Sequence, residues 1–374
     1  MVTRLLELNA EFTAQPQPGV PVACVLVRGA GGKAFCAGGD VKDLVIRARA
    51  GTPDPAAGVT FFRIEYANNL AIAQLPVPYV ALLDGIVMGG GVGVSYHGSF
   101  RVATERTVLA MPECAIGLFP DIGASFFLHR LPGQLGRYMG LTGERLTGAE
   151  VKDAGFATHY LPSARLPELE AALVALGARA ADPAEVDRLL RGMEAATQDE
   201  AARVVPRSSA LLEWKLPHIN AHFGRSSVAA VVESLEAGVA AAERDAALAA
   251  GADGGGPAAE VLAFLRSTLA AMRRGSPLSH AVTWEMLRRS ASQHLSLRQC
   301  LEMDFALAAR CVHGQADFLE GVRAVLIDKD NKPAWRYGRV QDVPEGVVAA
   351  MFAPLTDEPP LFGGAPEGQL ASRM

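Results

Sequence analysis

Two stretches, Phe35-Cys36-Ala37-Gly38-Gly39-Asp40 and Met88-Gly89-Gly90-Gly91-Val92-Gly93, decide the fold of this chain. Each glycine-rich stretch follows a predicted buried strand and leads into a predicted helix. The first N–H groups of a helix have no intrahelical acceptor, and the helix dipole adds positive potential around them. Two such turns facing each other could hold one oxyanion between two N–H donors, where glycine permits close approach of a carbonyl. Taken alone, each turn is better explained as a tight strand–helix connection, because neither has the GxGxxG or GxxxxGK[ST] pattern.

The segments around these turns alternate between strand and helix. Short apolar runs predict buried strands at 22–27, 79–83, 100–103 and 107–110. Helical spacing predicts helices at 40–50, with Asp40 as the N-cap, at 61–75 and at 92–97. Residues 29–39 are predicted to form a glycine-rich loop. Repeated strand and helix units of this kind predict an α/β fold with parallel strand pairing.

The remainder of the chain is predicted to be mostly helical. Thr147 and Glu150 have the spacing of a capping box that opens a helix. Residues 258–312 have helical patterns, whereas 317–332 is predicted to be rich in turns. A soft boundary near residue 205 therefore divides an α/β core, residues 1–205, from a mostly helical region, residues 206–374.

Composition narrows the class of protein. Half of the 374 residues are hydrophobic, enough for a sizeable core, and the net charge is −5. That charge argues against a nucleic-acid-binding surface, which would be basic and clustered. No apolar run reaches the ~18 residues that a membrane span needs. The cysteines lack metal-binding spacing and are odd in number, which favours a reducing compartment; they are Cys24, Cys36, Cys114, Cys300 and Cys311.

Two acidic residues stand in the otherwise apolar stretch Met111-Pro112-Glu113-Cys114-Ala115-Ile116-Gly117-Leu118-Phe119-Pro120-Asp121. A carboxyl group in apolar surroundings has a raised pKa and can act as base, acid or nucleophile near neutral pH. Glu113 is equally explained as an N-terminal helix charge after Pro112. Asp121 is equally explained as an N-cap before the residues that follow it.

Several stretches together resemble the crotonase superfamily, which includes the enoyl-CoA hydratases and isomerases. The run Gly32–Leu44, which contains Lys33–Asp40, and the stretch Asp84–Gly93 are similar to its two signature motifs. Residues 111–121 and the late segment Asp317–Ala324, with Asp328-Lys329-Asp330 and Pro333-Ala334-Trp335, are most similar to its 3-hydroxyisobutyryl-CoA hydrolase branch. The resemblance implies a ββα superhelical core that binds acyl-CoA, followed by a helical C-terminal region.

The resemblance also implies a role for individual residues. The backbone N–H groups of Gly39 and Gly90 would form the oxyanion hole for the thioester carbonyl. Glu113 would be the main catalytic carboxylate, and Asp121 would lie beside the reacting carbonyl or the 3-hydroxyl. Glu65 matches a substrate-contacting glutamate.

Two further positions match the region where relatives bind the CoA moiety. Ala37 and Lys42 fall where relatives contact the adenine and the nearby phosphate of CoA. A solvated helix charge is a nearly equal explanation for Lys42. Cofactors are not expected, because CoA is part of the substrate.

Position 93 separates two activities within the superfamily. Hydratases similar to this chain have a second glutamate there, and the pair positions a water for addition to a double bond. Gly93 supplies no carboxylate, which favours hydrolysis of a short 3-hydroxyacyl-CoA, 3-hydroxyisobutyryl-CoA above all, in valine breakdown. The alternatives are another short substrate such as 3-hydroxypropionyl-CoA, an enoyl-CoA hydratase/isomerase-type enzyme, or a non-catalytic homologue associated with the mitochondrial ribosome.

The ends of the chain give the remaining expectations. Relatives begin with an extra strand pair, whereas this chain starts in the helix that follows it, so the N-terminal strands of the core are expected to be missing. Ser372-Arg373-Met374 resembles a peroxisomal targeting tripeptide, and mitochondrial localisation is the alternative. Relatives often associate through their C-terminal helices, so the resemblance implies self-association.

Overall fold

A computed structural model describes residues 1–13, 22–49, 55–198, 211–249 and 257–363. The predicted boundary near residue 205 lies outside these residues, as does the C-terminal Ser372-Arg373-Met374. The division into two domains therefore stays a prediction.

Within the described residues, eight short strands form two four-stranded sheets. The strands are β1 (Val25–Arg28), β2 (Ala34–Cys36), β3 (Tyr79–Leu83), β4 (Ile86–Met88), β5 (Phe100–Ala103), β6 (Val108–Ala110), β7 (Leu146–Thr147) and β8 (His159–Tyr160). The first sheet has the order β1-β3-β5-β8 and is parallel throughout. The second has the order β2-β4-β6-β7, in which only the β6–β7 pair is antiparallel.

Successive strands alternate between the two sheets. The pairs β1–β2, β3–β4 and β5–β6 each place one strand in the first sheet and the next in the second. Each turn of the chain therefore stacks on the previous one, which is the predicted ββα superhelix. Two of these strands were not predicted: β2 lies inside the expected loop at 29–39, and β4 is only three residues long between Gly85 and Gly89.

Helices flank the sheets and make up most of the second half. In the first half they are α1 (Val2–Thr13), α2 (Val41–Arg49), α3 (Pro55–Ala73), α4 (Gly90–Tyr96), α5 (Ala124–Leu128), α6 (Leu135–Thr142), α7 (Glu150–Asp153), α8 (Leu166–Leu176) and α9 (Pro183–Ala196). After these come α10 (Leu216–Phe223), α11 (Val228–Ala249), α12 (Pro257–Arg274), α13 (Pro277–Gln293), α14 (Leu297–Val312), α15 (Phe318–Val322) and α16 (Glu345–Met351).

Several predicted elements match these bounds and others do not. The Asp40 carboxylate accepts the N–H of Asp43 at 3.2 Å and caps α2 as expected. The prediction of a capping box at Thr147 is wrong, because Thr147 ends β7 and the N-cap of α7 is Ala149. The Thr147 hydroxyl does, however, donate to the Glu150 carboxylate. Residues 317–332, predicted to be turns, contain α15 and a π-helical turn, Arg323–Ile327.

The hydrophobic core has two parts because both faces of the first sheet are covered. Every residue of β3 is buried: Tyr79, Ala81 and Leu83 face the main core, and Val80 and Leu82 face a smaller one under α8 and α9. The main core also contains residues of α3 and α14, which pack against each other. No helix within the described ranges has the length and apolar composition needed to cross a membrane.

Candidate active site

The second sheet brings together the three loops that follow β2, β4 and β6 and contain the predicted site residues. Strands β2, β4 and β6 are neighbours and parallel, so their carboxyl ends meet at one edge. Gly39 follows the end of β2 by three residues, Gly90 follows β4 by two, and Glu113 follows β6 by three. The spacing between these residues is therefore set by the distance between strands, about 4.8 Å.

The first loop presents Gly39 at the surface. Gly38 has φ +106°, a conformation that favours glycine, and it reverses the chain after β2. At Gly39 an added Cβ would lie 2.5 Å from the ring of Phe61, so no side chain fits between that ring and the backbone. Gly39 is therefore held as bare backbone.

The second loop brings Gly90 next to Gly39. Gly90 is the first residue of α4, so its N–H has no intrahelical acceptor. A Cβ built on Gly90 would lie 3.4 Å from the backbone nitrogen of Gly39, and one built on Gly38 would lie 3.8 Å from the nitrogen of Gly90. The two amides therefore lie side by side, as an oxyanion hole requires.

The third loop carries Glu113 on a rigid turn. Glu113 opens the 3-10 helix Glu113–Ile116, which Gly117 closes with φ +71°. The Glu113 carboxylate reaches the second loop, since a Cβ on Gly89 would lie 2.8 Å from its Oε1. Its Oε2 is buried and has no hydrogen-bond partner among the described residues.

The late segment of the resemblance supports this turn from behind. A Cβ on Gly117 would lie 2.3 Å from the carbonyl oxygen of Asp317, and one on Gly321 would lie 2.2 Å from the carbonyl carbon of Ile116. The backbone of α15 therefore packs directly on the Glu113 turn. The Asp317 carboxylate in turn accepts the Ser276 hydroxyl at 2.6 Å.

Two more carboxyl groups enter the same space from other elements. Glu65 lies in α3, and its Oε1 would be 2.4 Å from a Cβ on Gly90. Asp121 follows the Glu113 turn, and its Oδ2 accepts the Tyr66 hydroxyl at 2.7 Å. Asp121 does not cap α5, whose N-cap is Gly123. Tyr66 was not anticipated from the sequence, where only its position beside Glu65 hinted at it.

These three carboxyl groups are all buried. Burial raises the pKa of Glu65, Glu113 and Asp121, the last to about 6, and the negative charge of Asp121 raises the pKa of the two glutamates further. None of them forms an ion pair within the described part of the chain. Each of these carboxyl groups therefore holds a proton more readily than a free carboxyl group does, which suits proton transfer near neutral pH.

A strained turn fixes the backbone after Asp121. Ile122 has φ +58° and Gly123 has φ +76°, and the left-handed conformation is unfavourable for a β-branched residue such as isoleucine. His97 Nε2 donates to the Ile122 carbonyl at 2.7 Å, and the Asp304 carboxylate accepts the Gly123 N–H at 2.7 Å. Both side chains are buried and hold the turn in place.

The residues expected near CoA lie at the outer side of the first loop. Ala37 and Lys42 are exposed, one in the loop after β2 and the other in the first turn of α2. Their contact with CoA stays a prediction. His97 has a structural partner in the Ile122 carbonyl, and burial lowers its pKa to about 4, so it is neutral near pH 7. The Cys114 thiol donates to the Gly140 carbonyl, and burial raises its pKa to about 12, which fits a packing role.

Comparison with known proteins places this site in a family. A family model described as enoyl-CoA hydratase/isomerase matches residues 1–352. The mitochondrial 3-hydroxyisobutyryl-CoA hydrolase of Xenopus tropicalis is 41% identical over 332 residues, covering 88% of this chain and 77% of that protein. The 3-hydroxyisobutyryl-CoA hydrolase 1 of Arabidopsis thaliana is 39% identical over 355 residues, covering 94% and 84%.

Solved structures give the same result for the fold. An enoyl-CoA hydratase from Rhodobacter sphaeroides is 35% identical with a TM-score of 0.73, covering 95% of this chain and 90% of its own. A carnitinyl-CoA dehydratase from Mycobacterium thermoresistibile is 33% identical with a TM-score of 0.77, covering 96% and 90%. With two glycine amides side by side at the edge of a parallel sheet and this match over most of its length, the chain belongs to the enoyl-CoA hydratase/isomerase family, the crotonase family that its motifs predicted.

Proposed function

We propose that the protein hydrolyses 3-hydroxyisobutyryl-CoA to 3-hydroxyisobutyrate and CoA, a step of valine breakdown. The observation that carries this proposal is the meeting of the Gly39 and Gly90 amides with the Glu113 carboxylate at one sheet edge. The names of the curated relatives at about 40% identity support the same substrate.

The proposed chemistry uses the groups as follows. The Gly39 and Gly90 N–H groups polarise the thioester carbonyl and stabilise the oxyanion that forms on it. Glu113 either attacks the carbonyl carbon to give an anhydride or removes a proton from an attacking water. The carbon–sulfur bond breaks and CoA leaves as a thiolate. In the anhydride route, water then hydrolyses the anhydride and restores Glu113.

Isotope labelling tests for the anhydride route. In a single turnover with oxygen-18 water, the anhydride route places label in the Glu113 carboxylate if water attacks the Glu113 carbonyl. The general-base route places label only in the released acid. Glu65 and Asp121 would orient the substrate and hold the protons that Glu113 must lose to react.

Packing around position 93 favours hydrolysis over hydration. Gly93 is buried, and a Cβ there would lie 2.8 Å from Asn69 Nδ2 and 2.9 Å from Ile122 Cβ. A second glutamate at this position would have to displace both neighbours. Hydration of an enoyl-CoA is the alternative, because the two solved relatives are named as a hydratase and a dehydratase. An assay with crotonyl-CoA tests it.

The remaining parts of the proposal concern binding and location. Acyl-CoA is the expected partner, with Ala37 and Lys42 at the CoA side of the site, and no cofactor is proposed. Mitochondrial localisation follows the names of the animal relatives. A peroxisomal location has only the C-terminal tripeptide in its favour, and self-association stays a prediction.

The test is release of free CoA from 3-hydroxyisobutyryl-CoA by the wild type, by Glu113→Gln and by Glu113→Ala. Loss of one oxyanion donor typically costs ~10²–10³ in rate, and we expect the Glu113 variants to lose at least as much. The KM should change far less than kcat. Near-normal turnover by either variant would refute the role of Glu113, and no CoA release by the wild type would refute the function.

A further inference from the structure

Helices α3 and α4 contact each other at two successive positions beside the site. Glu65 and Asn69 lie one turn apart on α3, and so project from the same face of that helix. On α4, Gly90 lies opposite Glu65, and Gly93 lies opposite Asn69, since the built Cβ atoms would be 2.4 Å and 2.8 Å from those side chains. The contact of Asn69 with Gly93 therefore lies next to that of Glu65 with Gly90, about one turn further along both helices.

Asn69 has an unusual environment for a buried amide. Its exposed fraction is 0%, and neither Nδ2 nor Oδ1 has a hydrogen-bond partner among the described residues. A buried amide without partners is costly, because both its donors and its acceptor have lost water. The adjacent Asn68 differs at its oxygen, since its Oδ1 accepts Asn9 Nδ2 at 2.9 Å, whereas its Nδ2 also lacks a partner among the described residues.

The surroundings of Asn69 connect it to the reacting groups. Ile122 also lies against Gly93, and it directly follows Asp121 in the chain. Asn69 and the strained turn after Asp121 therefore meet at the same glycine, Gly93. Gly93 lies about 4.5 Å along the helix axis from Gly90. In an extended 3-hydroxyacyl group whose carbonyl oxygen is held at Gly90, four bonds separate that oxygen from the hydroxyl oxygen, and the two lie up to about 4.5 Å apart, a comparable span.

We propose that the side-chain amide of Asn69 recognises the 3-hydroxyl of the acyl group and so makes the enzyme selective for hydroxylated acyl chains. One hydroxyl can donate to Oδ1 and accept from Nδ2, and so can meet the needs of both unpartnered atoms. This inference rests on the proposed thioester hydrolysis and adds to it a residue that selects the substrate.

A comparison of two substrates tests the proposal. The ratio of kcat/KM for 3-hydroxyisobutyryl-CoA to that for isobutyryl-CoA, which lacks the hydroxyl, is measured for the wild type and for Asn69→Leu. Leucine has a similar volume but no polar atoms. We expect the ratio to fall about 10-fold, as for loss of a neutral hydrogen bond, through slower reaction of the hydroxylated substrate. Heat stability should be unchanged or higher, because the unpartnered amide is removed.

The control is the same substitution at the neighbouring position. Asn68→Leu should lower heat stability, because Asn9 Nδ2 loses its acceptor, and should leave the ratio unchanged. An Asn69→Leu variant that loses activity equally on both substrates, or keeps the wild-type ratio, would overturn the proposal. If the wild type releases no CoA, the proposed hydrolysis fails separately, and calorimetric Kd values for the same two thioesters provide the ratio that decides on Asn69.

Discussion

Replacing Gly90 by alanine tests the central geometry of the site. The new Cβ would lie 2.4 Å from Glu65 Oε1 and 3.4 Å from the Gly39 nitrogen. Carbon and oxygen atoms in contact are separated by about 3.3 Å or more, so the carboxylate or the Gly90 backbone must move by about 0.9 Å. A misplacement of about 1 Å can cost 10²-fold in rate, and a lost oxyanion donor costs 10²–10³. We therefore expect kcat to fall about 10²-fold or more.

Stopped-flow or steady-state CoA release, together with circular dichroism and thermal unfolding, gives the measurement. The matched control is Gly192→Ala in α9, where an added Cβ meets nothing within 4 Å. That variant should keep full activity and gain about 0.5–1 kcal/mol in free energy of unfolding, because glycine inside a helix is destabilising. A folded Gly90→Ala protein with near-wild-type kcat would show that the reacting carbonyl does not lie between Gly39 and Gly90.

Two further predictions concern Asp121 and the turn that follows it. The folded-state pKa of Asp121, about 6, lies above the ordinary carboxyl value. The free energy of unfolding of the wild type therefore falls by up to about 3 kcal/mol as the pH rises from about 4 through 6. Asp121→Asn should remove this loss. Urea unfolding curves across that range should therefore diverge, with the variant more stable on the alkaline side, and parallel curves would contradict the raised pKa. Asp304→Ala should lower kcat about 10-fold or more by releasing the Gly123 N–H, whereas Asp304→Asn, which keeps an acceptor oxygen, should retain most activity. Equal loss in both variants at equal stability would mean that the charge of Asp304, and not its hydrogen bond, is what matters.

The sequence predicted the parts of the site that depend on local patterns. The glycine turns at Gly39 and Gly90 could be found because each combines a preceding apolar run with residues that tolerate close backbone approach. The pairing that joins them was not visible, since β2 and β4 are three-residue strands inside glycine-rich segments. Very short strands have too few residues to show a periodicity of two.

The missed residues depend on contacts between distant segments. Asp304 reaches Gly123 across 181 positions of sequence, and Tyr66 reaches Asp121 across 55. Nothing in the local pattern around Asp304 sets it apart from a solvated helix charge. The left-handed conformation of Ile122 was equally hidden, because isoleucine rarely adopts it and only tertiary contacts impose it.

Three adjacent parallel strands position Gly39, Gly90 and Glu113. This arrangement has an evolutionary consequence. Hydrogen bonding between main chains fixes the separation of these strands, and main-chain geometry is common to all sequences. Side chains on the rest of the sheet can be exchanged without altering the mutual placement of the reactive loops. Drift to about 40% identity is therefore compatible with an unchanged chemical centre, whereas a one-residue slip between β2 and β4 would move one loop by about 3.3 Å and abolish it at once.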